Sequence, residues 1–102
     1  MIARHWRGWT KPEDADAYEA LLRNTMLPSL KQIAGYLGGY VLRRDVHGEV
    51  EFIVLNFFES LDAVKKFAGP QYTIAVFEPE AIRLLKRADP LADHFDVCLQ
   101  TL

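Results

Sequence analysis

The alternation of hydrophobic and polar positions predicts a chain that runs strand, helix, strand, strand, helix, strand. Ile2 to Thr10 sets Trp6 and Trp9 among Arg4, His5 and Arg7, and its aromatic and β-compatible residues predict the first strand. Lys11-Pro12-Glu13-Asp14 ends it, since proline cannot donate a ladder hydrogen bond and Asp14 suits a helix N-cap. From about Ala15, Tyr18, Leu21, Leu22, Thr25 and Met26 recur at helical spacing, and Leu30 and Ile33 continue the stripe. Pro28 predicts a kink or a short second helix, and Gly35 a stop.

Tyr36 to Asp45 and Val50 to Phe58 read as the second and third strands, joined by a hairpin at Asp45-Val46-His47-Gly48 with glycine supplying a positive φ. The third strand is a nearly unbroken apolar run, the pattern of a strand buried on both faces. Helices cover one face of such a sheet, so a second copy of the chain is the simplest cover for the other. Ser60 caps a second helix through Phe67, which Gly69-Pro70 ends, and Pro79 opens a helix to about Lys86. Ala88-Asp89-Pro90 reads as loop. His94 to Thr101 alternates polar His94, Asp96, Cys98 and Gln100 with Phe95, Val97, Leu99 and Thr101, the mark of a half-buried last strand.

Composition narrows the function classes. The 102 residues suffice for one domain, residues 1–102, with a modest core. The net charge is −2 and the basic residues are scattered, so no stripe for nucleic acid is present. No apolar run is long enough to span a membrane, and the first residues lack the apolar segment of a signal peptide. The single cysteine, Cys98, has no partner for an internal disulfide, and no Cys/His spacing suits a metal. A reducing cytoplasm is the expected compartment. No phosphate loop, dinucleotide fingerprint or nucleophile elbow is present.

Taken together, these elements define an α+β fold, a ferredoxin-like βαββαβ sandwich. Several stretches also carry a resemblance: Ile2-Ala3-Arg4, Trp6-Arg7-Gly8, Tyr40-Val41-Leu42-Arg43-Arg44, Glu51-Phe52, Phe58-Glu59-Ser60-Leu61-Asp62-Ala63-Val64, Phe67-Ala68-Gly69 and the closing His94-Phe95-Asp96-Val97. In their order and spacing they resemble the antibiotic-biosynthesis-monooxygenase-like branch of the dimeric α/β-barrel superfamily. The resemblance implies a homodimer whose two sheets face each other as a barrel, with a pocket between each sheet and its own helices. It implies either a cofactor-free monooxygenase of polycyclic phenols or quinols or a haem-degrading enzyme. The haem-degrading branch uses an Asn on the first strand, a Trp on the second helix and a His ten residues later. The matching positions here fall near His5, at Phe67 and at Phe77, and all three depart from that pattern. Phe77 has no atom that can ligate iron.

The reading is therefore a cofactor-free monooxygenase of a flat aromatic phenol or quinol, without metal or flavin. The alternative is a non-catalytic dimeric ligand-binding or structural domain, which the phenylalanines at 67 and 77 favour by closing the pocket. His5 and His94 lie on strands that neighbour each other in such a sheet, and either imidazole is a candidate base; both equally suit structural hydrogen bonds. Asn56 and Tyr72 are candidate donors to a substrate oxygen, against structural roles for each. Trp6 and Trp9, three apart on a strand, point to opposite faces. Trp6, Trp9, Phe67 and Phe77 are the candidate substrate-binding aromatics, with core or interface packing as the alternative. Arg43 and Arg44 read as ion-pair partners and Cys98 as inert packing.

Overall fold

The computed structural model describes residues 1–102. Strand β1 spans Ile2–Thr10, β2 Tyr36–Val46, β3 Glu49–Phe58, β4 Leu85–Ala88 and β5 Asp93–Asp96. Helices α1 (Ala15–Leu21) and α2 (Leu27–Lys31) form one rod through a π-helical turn at Leu22–Met26; α3 spans Leu61–Ala68 and α4 Pro79–Leu84. The antiparallel sheet runs β2-β3-β1-β4, and β5 pairs with the same edge of β1 further along. This is the ferredoxin-like α+β arrangement that the sequence predicts. No helix is long and apolar enough to cross a membrane.

The β2–β3 hairpin turns through His47 and Gly48, both at positive φ (49° and 78°), the geometry of a type I′ turn. Register then assigns faces. Arg4 lies opposite Asn56 and Trp6 opposite Val54, so these share the helix-covered face with Phe52 and Phe58. The core follows from that assignment: Tyr18 and Leu22 pack on Val50, Phe52 and Val54, while Leu30, Ala63 and Val64 pack on Phe58. On the other face Ile53, Leu55 and Phe57 of β3 stay half-buried and Leu42 of β2 stays exposed. The chain alone therefore covers only one face of its most apolar strand.

The short second helix expected at Pro28 is present as α2, with the proline in its first turn, and just ahead of it the Leu27 N–H donates to the Leu22 carbonyl across the π turn. Two elements differ from the sequence-based expectation. The helix opened by Pro79 stops at Leu84 rather than near Lys86. At six residues it is marginal by itself, and Leu85 to Ala88 pair with the free edge of β1 instead. The last strand ends at Asp96 rather than Thr101, because β1 begins at Ile2, opposite Asp96. A single further bond, from the Val97 N–H to the Met1 carbonyl, uses the backbone that remains.

Candidate functional site

The centre of the site is Arg4, only 5% exposed on the helix-covered face. Its Nη1 donates to the Tyr72 carbonyl and, at 2.9 Å, to His94 Nε2, and its Nη2 donates to the Ile74 carbonyl at 3.3 Å. A guanidinium cannot accept a hydrogen bond, so Nε2 is the unprotonated nitrogen of His94 and the imidazole is neutral here. Burial, then the neighbouring Arg4 charge, hold the His94 pKa below the ordinary imidazole value, with Asp93 opposing. Burial also lowers the Arg4 pKa.

Beside Arg4 lies Asn56 on β3, 5% exposed, whose Oδ1 accepts from the Tyr36 hydroxyl at 3.1 Å. Glycine at 39 makes room for this amide. A Cβ there would overlap Asn56 Oδ1 and the Leu55 carbonyl and lie 3.0 Å from the Asn56 Cα. Gly8 serves Trp6 in the same way, since a Cβ at 8 would overlap the indole and lie 3.0 Å from Leu85 Cδ2. The indole is fixed by its Nε1 donating to the Asp89 carbonyl at 2.7 Å and by an edge contact with Phe77, centroids 5.7 Å apart.

These side chains enclose a small cavity of about 50 Å³ between sheet and helices, lined by Arg4, Trp6, Tyr18, Asn56, Phe67 and apolar neighbours. Two larger cavities adjoin it across Leu22 and Met26. One, of about 320 Å³, runs toward Tyr36, Gly39 and Val41; the other, of about 200 Å³, lies toward Phe77 and Ile33. Together they reach the few hundred Å³ of a small-molecule site. Burial raises the pKa of Tyr18, which packs edge-on against Phe52 at 4.9 Å.

The structure gathers some of the expected site residues and separates others. Asn56, Trp6 and Phe67 line the small cavity, and Phe77 lines the neighbouring one. His5 and His94 do not meet: His94 lies opposite Arg4 and His5 opposite Asp93, so the two imidazoles point to opposite faces of the sheet. His94 reaches the cavity only through Arg4. Tyr72 offers its carbonyl to Arg4 while its ring packs edge-on against His94 at 5.1 Å, outside the cavity lining. Trp9 is on the helix-free face, as its spacing from Trp6 requires, held between the Arg7 and Arg87 guanidiniums at 5.3 and 3.9 Å. Arg43 and Arg44 form ion pairs, Arg43 with Asp16 and Glu19 and Arg44 with Glu51. Arg4, Tyr18, Tyr36 and Met26 were not singled out from the sequence. The parity of Arg4 with Trp6 and Asn56 was the available signal, because a cation on the inward face of a strand needs a reason to be there.

No group of three or more His, Cys, Asp or Glu side chains is placed to hold a metal ion. No histidine lines the three cavities, and Phe67 and Phe77 stand against them, so the residues present do not fit an axially ligated haem.

No curated protein sequence matches the chain. Among solved structures, the backbone is similar to a variant of SnoaB, a cofactor-independent oxygenase from Streptomyces nogalater (TM-score 0.63, 20% identity, 99% of this chain and 95% of that one). It is similar to the haem degrader MhuD from Mycobacterium tuberculosis with two haems bound (TM-score 0.62, 19% identity, 99% of each chain). It is also similar to PA3566 from Pseudomonas aeruginosa (TM-score 0.68, 17% identity, 96% and 94%). At these identities the likeness concerns the fold. The family model described as antibiotic biosynthesis monooxygenase matches residues 1–76, three quarters of the chain, and the chain belongs to that family.

Proposed function

We propose that this chain is a cofactor-free monooxygenase of a flat aromatic phenol or quinol, working as a homodimer. The observation that carries the reading is one compartment with two chemistries. A polar end holds Arg4 and Asn56, and it opens onto apolar space walled by Tyr18, Phe67 and Phe77. A ring would occupy the apolar part and direct its oxygen to the polar end. Arg4 and Asn56 would stabilise the negative charge that develops on that oxygen when the substrate loses a proton, from the O–H of the phenol or the ring CH2 of its keto tautomer. His94 Nε2 carries the lone pair for that proton, and it becomes free when Arg4 turns its N–H to the substrate. The carbanion and dioxygen form a C–O bond, and the peroxide takes up a proton. Loss, as a proton, of the hydrogen remaining on the oxygenated carbon with O–O cleavage then gives a quinone and one water. Substrate plus O₂ thus gives quinone plus water.

The homodimer rests on the helix-free face, where Leu42, Ile53, Leu55 and Phe57 of neighbouring strands form an apolar surface without helices. The test of the activity is oxygen consumption with anthrone-type substrates, naphthols and hydroquinones. The wild type is expected to consume oxygen with matching quinone formation, and Asn56→Ala to slow the reaction about a hundredfold, the usual cost of one oxyanion donor. No consumption across the panel would overturn the reading. One observation favours a second reading, a non-catalytic ligand-binding domain: the cavity beside Arg4 is only about 50 Å³, too small for a ring unless Met26 or Phe67 moves.

A further inference from the structure

The chain has seven arginines, and six of them face a carboxylate: Arg7, Arg23, Arg43, Arg44, Arg83 and Arg87. The exception is Arg4, and Arg4 is the buried one. This inverts the usual economy, in which an exposed cation does without a partner and a buried one requires it. The groups around Arg4 sharpen the inversion. Its Nε–H and one Nη2–H have no acceptor in the chain, the other N–H groups being taken by Tyr72, Ile74 and His94. The Asn56 Oδ1 is used by Tyr36, which leaves its two Nδ2 hydrogens without an acceptor. The Tyr18 hydroxyl, in a side chain 2% exposed, also has no partner. No side-chain nitrogen or oxygen is both sealed from solvent and unpartnered, so these free donors open onto the cavities they line. The polar end of the cavity thus offers donors and a positive charge, with no carboxylate.

We infer that Arg4, Asn56 and Tyr18 form a binding site for the carboxylate of an aromatic acid. The free donors outnumber what a single phenolate oxygen accepts, whereas a carboxylate presents about four lone-pair sites and can take a guanidinium in bidentate fashion. The volume of about 50 Å³ suits a carboxylate group, and the adjoining apolar cavities receive the ring. The ligand supplies the counter-charge the chain omits. Oxygenation is not required for this inference, since a non-catalytic binder with these side chains needs the same counter-charge.

The experiment is calorimetric titration of the wild-type protein with 2-naphthoate, its neutral isostere 2-naphthamide, and 2-naphthol. The carboxylate is expected to bind about ten- to a hundredfold tighter than the amide, the range of a charge-assisted hydrogen bond. In Arg4→Met the two are expected to bind equally. On the wild type, naphthoate should also raise the pKa of the His94 ring, followed by NMR, because neutralising Arg4 removes the neighbouring charge. Equal affinity of naphthoate and naphthamide, stronger binding of naphthol, or no binding of any of them would overturn the inference. If Arg4→Met fails to fold, the wild-type comparison and the His94 titration decide. An absence of oxygen uptake alongside selective naphthoate binding would overturn only the monooxygenase reading.

Discussion

Gly39→Ala is the sharpest structural perturbation of the site. The added methyl would overlap the Asn56 amide oxygen and the Leu55 carbonyl, and it would lie 3.0 Å from the Asn56 Cα. Two of these atoms belong to backbone hydrogen-bonded into the sheet, so the strain cannot be relieved by a rotamer change alone. Overpacking of this kind costs about 1–3 kcal/mol. Displacing the amide also breaks the Tyr36–Asn56 hydrogen bond, about 0.5–1.5 kcal/mol. Stiffening of the unfolded chain by alanine returns up to about 1 kcal/mol. The expected net loss is about 0.5–4.5 kcal/mol, and its middle, about 2.5 kcal/mol, is a fall in Tm of roughly 10–20 °C for a chain of this size. Urea denaturation of Gly39→Ala, Asn56→Ala and the double variant measures it. The double variant should recover about 0.5–1 kcal/mol of the sum of the single losses, since the overlap with the amide vanishes while that with the Leu55 carbonyl stays. If Gly39→Ala is as stable as the wild type, the tight seat of Asn56 against β2 is refuted.

Further outcomes follow from the same geometry. The His94 pKa is depressed in the folded chain, so below the ordinary imidazole value the unfolded chain binds a proton that the folded one refuses. That stability is complete above the unfolded pKa and lost as pH falls through it toward the folded pKa. The urea midpoint should drop between about pH 7.5 and 5.5, and His94→Asn should flatten this part of the profile; an unchanged slope would show that His94 does not contribute. Haem titration is expected to leave the Soret band of free haem unchanged, because no histidine lines the cavities; a shifted, saturable band would contradict that. Sedimentation at micromolar concentration should give a dimer that Leu42→Asp on the helix-free face converts to monomer, and a monomeric wild type would remove the dimer from the account.

The order of elements was legible because alternation and helical periodicity are local properties of the chain. The truncation of α4 and the early end of the last strand were not, because both depend on where β1 offers an edge. Leu85 leaves the helix to pair with Thr10, and β5 stops opposite Ile2. The site was legible in part. Asn56 stood out as a polar interruption of an apolar strand, and it lines the cavity. Strand adjacency brings His5 and His94 to neighbouring strands, but register decides the face. His94 opposes Arg4, so a shift of one residue separates the two imidazoles by the thickness of the sheet. Arg4 was hidden because a cation on an outer part of a strand usually finds a carboxylate, and only the folded contacts show that it has none.

A ligand's oxygen is expected to enter the space between sheet and helices and to meet Arg4 and Asn56. Side-chain ¹⁵N NMR of the wild-type protein, titrated with 2-naphthoate, tests this most directly. The expected result is saturable shifts of the Arg4 Nε–H, the Asn56 Nδ2 group and the Trp6 indole, with the Trp9 indole and the His5 ring unmoved on the opposite face. Shifts confined to Trp9 and His5, with Arg4 and Asn56 silent, would contradict it.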